Sequence, residues 1–596
     1  MNREQLKEMQ TDALERLMAL RSADGMWRGL LSSSAISTSV SVFALHSIDA
    51  EKYKKEIAGG IHWLQETMCP DGSWGDSVES PSNMTATLLT YVSLVAVGEK
   101  ALQTRAYLNA RFGGDSEEAL IKGVLDYYGK DLTFSVPILM MCALAGVVKD
   151  WKKIPPFPFE LATLPQRFFR FLNLPVVSYA IPALIAIGIC QMRRKGGMLS
   201  FIREAFVPKA MRELVKLQPA DGGFLEAAPL TAFVSMCLAE GGFREHEVTQ
   251  KCAQFLVDTV REDGSWPIDT NLASWVTSLS AKILGKEFED RVQLADIIQR
   301  NATRAVHPFT GAAPGGWGWS DLSGSVPDGD DTSGALVALH ALGYPCDEVI
   351  CNGINWLMIL QNNDGGMPTF CKGWGKLPFD RSSPDITSHA VLAMGLWMKD
   401  LPSAFRVKVE KSFTRLLDWL EKNQDVQHGW TPLWFGDQDA ADEHAPVYGT
   451  ATAIDYLMAT GHPRAVELAE HQLGFLLQTQ NADGGWGGNL GVRSKVTYTS
   501  RVLAALSWFP GQEAVKNRAW DYLYETYKTG HLYDEEPIGL YFSRLWYSEK
   551  MYNLTFLLWA LKRYTTLSRM TEREGQAEKE LPPPLVILSG AKNLVQ

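Results

Sequence analysis

Apolar positions recur along this chain at helical spacing, and the runs they form end in the same way many times over. Val502, Leu506 and Phe509 fall at i, i+4 and i+7, and Leu336 and Leu339 at i and i+3, which puts each set on one face of a 3.6-residue turn. Convincing alternation of apolar and polar residues, the mark of a half-buried strand, is absent. The helix ends read LRSADGMWRG from Leu20, WLQETMCPDGSWGD from Trp63, LVKLQPADGGF to Phe224, FLVDTVREDGSW to Trp266, WLMILQNNDGGM to Met367, WLEKNQDVQHGW to Trp430 and FLLQTQNADGGWGG to Gly488. Each combines an apolar helix end, usually a glutamine, a polar turn with glycine where left-handed backbone is wanted, and commonly an aromatic just beyond. Units repeating at about 40 to 60 residues, with a gap near 75 to 220, predict stacked helix pairs in an all-α protein whose pairs close into toroids. Such a scaffold can bind or catalyse, so the fold alone leaves function open.

Composition narrows this picture. At 596 residues the chain is long enough for two to four domains, and its net charge of -11, with no basic block, argues against a nucleic-acid partner. Its eight cysteines form no CxxC pair, and the polar start MNREQLKEMQTDALERL is unlike a signal peptide, so a reduced, cytoplasmic setting is expected. An uncharged run from Leu174 to Cys190 is at the short end for a bilayer span and is broken by Pro175 and Pro182. It is read as a buried or interfacial helix, with Arg193, Arg194 and Lys195 following at a headgroup surface or in solvent. Residues 566–596 are expected to form a disordered tail without a catalytic role.

Candidate chemistry concentrates in Asp328-Gly329-Asp330-Asp331-Thr332, three carboxylates within four residues at a predicted helix start. Helix capping explains one of them, because Asp and Thr are good N-caps and negative charge suits the positive end of a helix dipole. Three together would repel, so a buried cluster would tend to keep a proton on one member. A calcium loop fits less well, since the position that should carry a bidentate Glu is Leu339. Asp437-Gln-Asp-Ala-Ala-Asp-Glu443 is also acidic and is read as a solvated loop rather than a metal motif.

With the acid cluster and the Gln…Gly-Trp turns both in hand, the chain resembles the squalene-hopene cyclase family of class II terpene cyclases over nearly its whole length to about residue 564. Further matching stretches are Ser-Trp-Val-Thr at 274 to 277, Gly-Trp-Gly-Trp at 316 to 319, Pro-Asp-Ile-Thr-Ser-His at 384 to 389, Leu-Trp-Phe-Gly through Tyr448-Gly-Thr, and PIGLYFSRLWYSEKMY near the C-terminus. The resemblance implies two α/α-barrel domains, one from residues 1–30 plus 271–565 and the other from 31–270. It implies Asp330 as the donor that protonates an alkene, with Asp328 and Asp331 as crowded neighbours and His389 hydrogen-bonded to the acid so that its anion is stabilised. Trp319, Trp275, Tyr541, Trp434 and Tyr448 match substrate-binding aromatics, whose faces can stabilise a cation by about 2 kcal/mol each when water is excluded. Ordinary core packing is the alternative for each.

The implied substrate is a linear isoprenoid, squalene or a related polyprene, taken from a peripheral or monotopic membrane surface on the cytoplasmic face, with no metal or organic cofactor and a homodimer left open. Three departures stand out: Ser39 replaces a family glutamate, Val176 a tryptophan and Pro537 a phenylalanine, so the product does not follow from the resemblance. Rival readings are a class II cyclase of a prenyl diphosphate, which would need Lys or Arg near the cavity, a zinc-dependent protein prenyltransferase subunit, and a non-catalytic lipid-binding scaffold.

Overall fold

A small set of hydrogen bonds explains why the same residues recur at every helix end. In a computed structural model, which describes residues 3–129, 132–164, 181–197, 200–308, 311–369, 381–539 and 544–580, the residue after the turn is held through its backbone, and at Trp27, Trp74, Trp266 and Trp486 through its ring as well. The indole N–H of these four donates to a carbonyl ten residues back: Trp27 to Leu17 at 2.6 Å, Trp74 to Leu64 at 2.8 Å, Trp266 to Leu256 at 2.7 Å and Trp486 to Leu476 at 2.9 Å. The backbone N–H after the turn donates to a threonine hydroxyl, Thr87 for Trp74, Thr231 for Phe224, Thr387 for Met367, Thr450 for Trp430 and Thr499 for Trp486, all at 2.8–3.0 Å. The glutamines reach onward: Gln218, Gln361 and Gln480 each donate to a turn glycine carbonyl and, past the intervening inner helix, to a carbonyl of the outer helix that follows it, at Val248, Ser412 and Val515. Each turn thereby fixes one helix end and ties it to the following repeat.

The helices tied in this way sort into inner and outer layers. Inner ones are buried on every face, as in Pro446–Ala459, where each residue from Pro446 to Leu457 is buried. Outer ones are amphipathic, as in Ser403–Lys422, which buries Val409, Phe413, Leu416 and Leu420 and leaves its charges in water. Ala273–Leu284, Gly329–Ala341, Pro384–Trp397, Pro446–Ala459, Val496–Leu506 and Tyr552–Glu580 pack successively, and the last returns to the first, closing a ring. A second ring runs through Ala35–Asp49, Met84–Ala96, Leu132–Leu144, Ile181–Lys195 and Ala228–Leu238. Each ring has its own hydrophobic core, one drawn from residues 9–31 and 268–561, the other from 35–266. The all-α, double-barrel class expected from the periodicity and the resemblance is the observed one, and no strand occurs among the described residues, only isolated bridges.

Two expectations need correction. The C-terminal helix runs to Glu580, into the stretch expected to be disordered, because TEREGQAEKE, apart from Thr571 and Gly575, is made of good helix formers and meets no proline before Pro582; the remainder lies outside the described residues. Asp437 is not in a solvated loop: it is fully buried, pairs with the buried Lys495, and accepts the Gly488 N–H at 2.8 Å. Among the described residues no helix is long and apolar enough to cross a membrane, and Ile181–Met192 is buried in the second barrel.

Candidate active site

The three aspartates share a helix start but not a job. Asp328 is the N-cap of Gly329–Ala341, and its Oδ1 accepts the N–H groups of Asp330 and Asp331 at 2.8 Å each. Gly329 donates its N–H to the Thr369 carbonyl at 2.7 Å, and a Cβ there would lie 2.8 Å from the Pro368 oxygen, so the second position of the motif admits no side chain without a shift. Thr332 takes the Trp317 N–H at 3.0 Å, the same clamp used by the other repeats. Capping and scaffold duties thus occupy Asp328 and Thr332.

Asp330 alone of the trio is substantially open, with 31% of its side chain exposed, while Asp328 and Asp331 are buried. Burial pushes the Asp328 carboxyl up to about 7 and Asp331, which also feels the charge of Asp328, well above the ordinary carboxylate range. The pair therefore keeps a proton near neutral pH. His389, 2% exposed on the Pro384–Trp397 helix, places Nδ1 2.6 Å from Asp330 Oδ1. Burial lowers the basicity of His389 against the pull of Asp330. Its ring stacks on Tyr456, with centroids 4.4 Å apart, and meets the edge of Trp275 at 6.3 Å.

Asp330 opens into a cavity of about 290 Å³ between the two barrels. Trp275, Trp319, Trp434, Phe435, Tyr547 and Tyr552 line it from the first barrel, and Leu89, Phe134, Ile138 and Phe233 from the second. Its described lining contains no Lys, Arg or His. Of the residues expected from sequence, Asp328, Asp330, Asp331, Trp275, Trp319 and Trp434 meet here, and His389 stands one hydrogen bond behind. Tyr448 does not line it; its ring packs on Phe435 at 4.9 Å and its hydroxyl accepts from Arg501 at 2.9 Å. Tyr541 and Val176 lie outside the described residues. Ser39 is buried and donates to the Ile36 carbonyl at 2.9 Å, so its hydroxyl is absorbed by its own helix. Pro537 is buried and away from the described lining.

The structure adds groups that sequence reading missed. Asp269 lines the cavity, and Glu226 is fully buried with both carboxylate oxygens 2.7–2.8 Å from Ser320 Oγ. Nothing in SWPIDTNLASW or FLEAAPL marks either acid. Lys282 and Arg501, also buried, had a visible signal: each is a lone cation in an otherwise apolar or small-residue inner helix. Among the described residues no three His, Cys, Asp or Glu are grouped to hold a metal ion.

Burial raises Glu226 to about 9 and Asp269 to about 8, each worsened by neighbouring acids. The folded protein therefore holds protons that the unfolded chain gives up near pH 4 to 5, and stability from these groups is present at low pH and lost as pH rises through 8 to 9. The urea midpoint is expected to fall between pH 6 and pH 9, and Glu226→Gln to show a smaller fall; equal falls would contradict a raised Glu226.

Comparison with known proteins follows this geometry. Residues 306–566 match the family model for the squalene-hopene cyclase C-terminal domain and residues 11–112 that for its N-terminal domain. Enfumafungin synthase efuA of Hormonema carpetanum is 23% identical over 85% of this chain, which spans only 43% of that protein. A probable squalene--hopene cyclase of Sinorhizobium fredii is 22% identical, covering 93% of this chain and 96% of the relative. The solved ent-copalyl diphosphate synthase from Streptomyces platensis shares the fold, with a TM-score of 0.53 at 16% identity over 93% of this chain and 99% of that one.

Proposed function

This chain belongs to the squalene-hopene cyclase family, and from that premise we propose that it is a class II cyclase in which Asp330 protonates a terminal alkene of squalene or a related neutral polyprene. One observation carries the choice of substrate: an apolar, aromatic-walled cavity with no basic residue in its described lining abuts a carboxyl cluster that retains a proton. A diphosphate would ask for Lys or Arg at such a wall.

An alkene is a very weak base, so the donor must be oriented on it and shielded from water. With its proton on Nδ1, His389 donates to Asp330 Oδ1, leaving the other oxygen to carry the transferable proton and stabilising the carboxylate left behind. Asp328 holds the helix start, and it and Asp331 store a proton beside Asp330. Electrons of the alkene take the proton, and the resulting cation is attacked by successive double bonds of the same chain. Trp275, Trp319 and Trp434 offer it ring faces without supplying a nucleophile. The two cores support a division close to 1–30 plus 271–565 and 31–270, with Leu31 and Ile268 packing into the first core. Phe201, Ile202 and Phe206 stand exposed on the second barrel and suit a peripheral seat on the cytoplasmic membrane face.

Detergent-solubilised full-length protein is expected to convert squalene into cyclic isomers or their hydrates, read by mass spectrometry of neutral lipids. Consumption of geranylgeranyl diphosphate with squalene left untouched would sink the neutral-polyprene reading.

A further inference from the structure

A reaction that begins by giving a proton to a hydrocarbon must usually end by taking one away, and the cavity wall carries a carboxyl outside the initiating trio. We propose that Asp269, acting with Glu226, is the base that removes the final proton from the cyclised cation. This rests on the cyclase reading above and extends it to the termination step.

The geometry is specific. Asp269 lines the same cavity as Asp330, accepts the Thr270 N–H at 2.7 Å, and has the indole of the wall residue Trp319 as a further partner. Glu226 sits close enough for the two charges to oppose each other, and its neighbours Leu225 and Ala227 both line the cavity. The other charges felt most by the pair are negative, Asp221 by both and Asp321 by Glu226, and Arg28 is engaged by Asp321 and Asp24. What points to a ligand is the cavity itself. A carboxylate on the wall of an apolar chamber is costly unless a positive charge visits it, and a carbocation is such a visitor.

Burial and mutual repulsion give the pair a high proton affinity; Asp269 is the member that gives up its proton first, and a cation standing against the wall favours its carboxylate. In the step, a C–H bond next to the cationic carbon breaks, its electron pair becomes the new double bond, and the proton passes to a carboxylate oxygen of Asp269. Glu226 shares the added proton, Ser320 holds Glu226 in place, and the pair returns the proton to solvent after product leaves. Asp330 is reprotonated separately, so each turnover is an isomerisation with no net proton change.

The test compares full-length wild type, Asp269→Asn, Asp269→Glu and Glu226→Gln incubated with squalene, recording both substrate loss and the ratio of products. All four are expected to consume squalene, because initiation lies with Asp330. In Asp269→Asn the main alkene should fall at least about tenfold as a share of product, in favour of hydrates or isomeric alkenes, with partial recovery in Asp269→Glu. Identical product ratios in wild type and Asp269→Asn would overturn the assignment, as would a folded Asp269→Asn that consumes nothing, or a wild type that makes only alcohol. Should Asp269→Asn fail to fold, unchanged ratios in Glu226→Gln would overturn it equally. Failure of wild type to consume squalene would instead strike the substrate reading on which the proposal stands.

Discussion

Asp330→Asn is expected to stop squalene consumption, with a loss on the order of 10⁴-fold, the upper end of what a positioned general acid contributes. Asparagine is nearly isosteric with the acid but has no proton to give an alkene. Asp328 and Asp331 also border the cavity, but only Asp330 is substantially open and Asp328 is held by two backbone N–H groups, so neither is expected to stand in. The His389 bond should persist, since an amide oxygen accepts where the carboxyl oxygen did at 2.6 Å. The melting curve is therefore expected to stay near that of wild type, which separates chemistry from folding. Mass-spectrometric detection of more than a tenth of the wild-type rate in the variant would remove Asp330 as donor.

Asp455→Leu should be the most destabilising single change outside the cavity, by about 3–5 kcal/mol, the usual penalty for deleting one partner of a buried charge set. Asp455 is 2% exposed and accepts from Trp508 at 3.0 Å, Trp559 at 2.6 Å and Arg563 at 2.8 Å. Burial works against its charge, yet Arg563 and Lys282 hold its carboxyl below the ordinary range. Lys282 lies 3.9 Å above the Trp559 ring and 5.2 Å from that of Tyr456, and burial lowers it to about 7. Without Asp455, Arg501 and Arg563 keep their positive charge with no buried anion among them, and Lys282, already lowered to about 7 with Asp455 raising it, is driven toward a neutral, unpaired buried amine. The Asp455→Leu, Lys282→Met double variant should recover part of the loss, because the buried amine left without its partner is removed together with the anion. A urea unfolding free energy within 1 kcal/mol of wild type for Asp455→Leu would show that the cations find water instead. Tyr456 connects this network to the site through its stack on His389, so activity is expected to fall along with stability.

Local sequence determined the helices, the turns and the acid cluster, because each of these depends on residues only a few positions apart. The period of 3.6, the Asp-Gly turns and the N-cap at Asp328 are local matters, and all seven motif-bearing turns close with a backbone hydrogen bond from a turn glycine. Through its motif, the same reading joined Asp330 to His389, 59 positions away. Tertiary structure alone decided which neighbours face the cavity. Tyr448 matches a motif yet turns to Arg501, while Asp269 at the wall and Glu226 buried behind it, unmarked in sequence and 43 positions apart, come within reach of each other's charge. Thr332 looked like part of the acid motif and proves to be a clamp on Trp317. The physical reason is that the free energy of a carboxyl or a ring depends on what surrounds it once water is gone, and ring closure of two barrels, not chain order, chooses that surrounding.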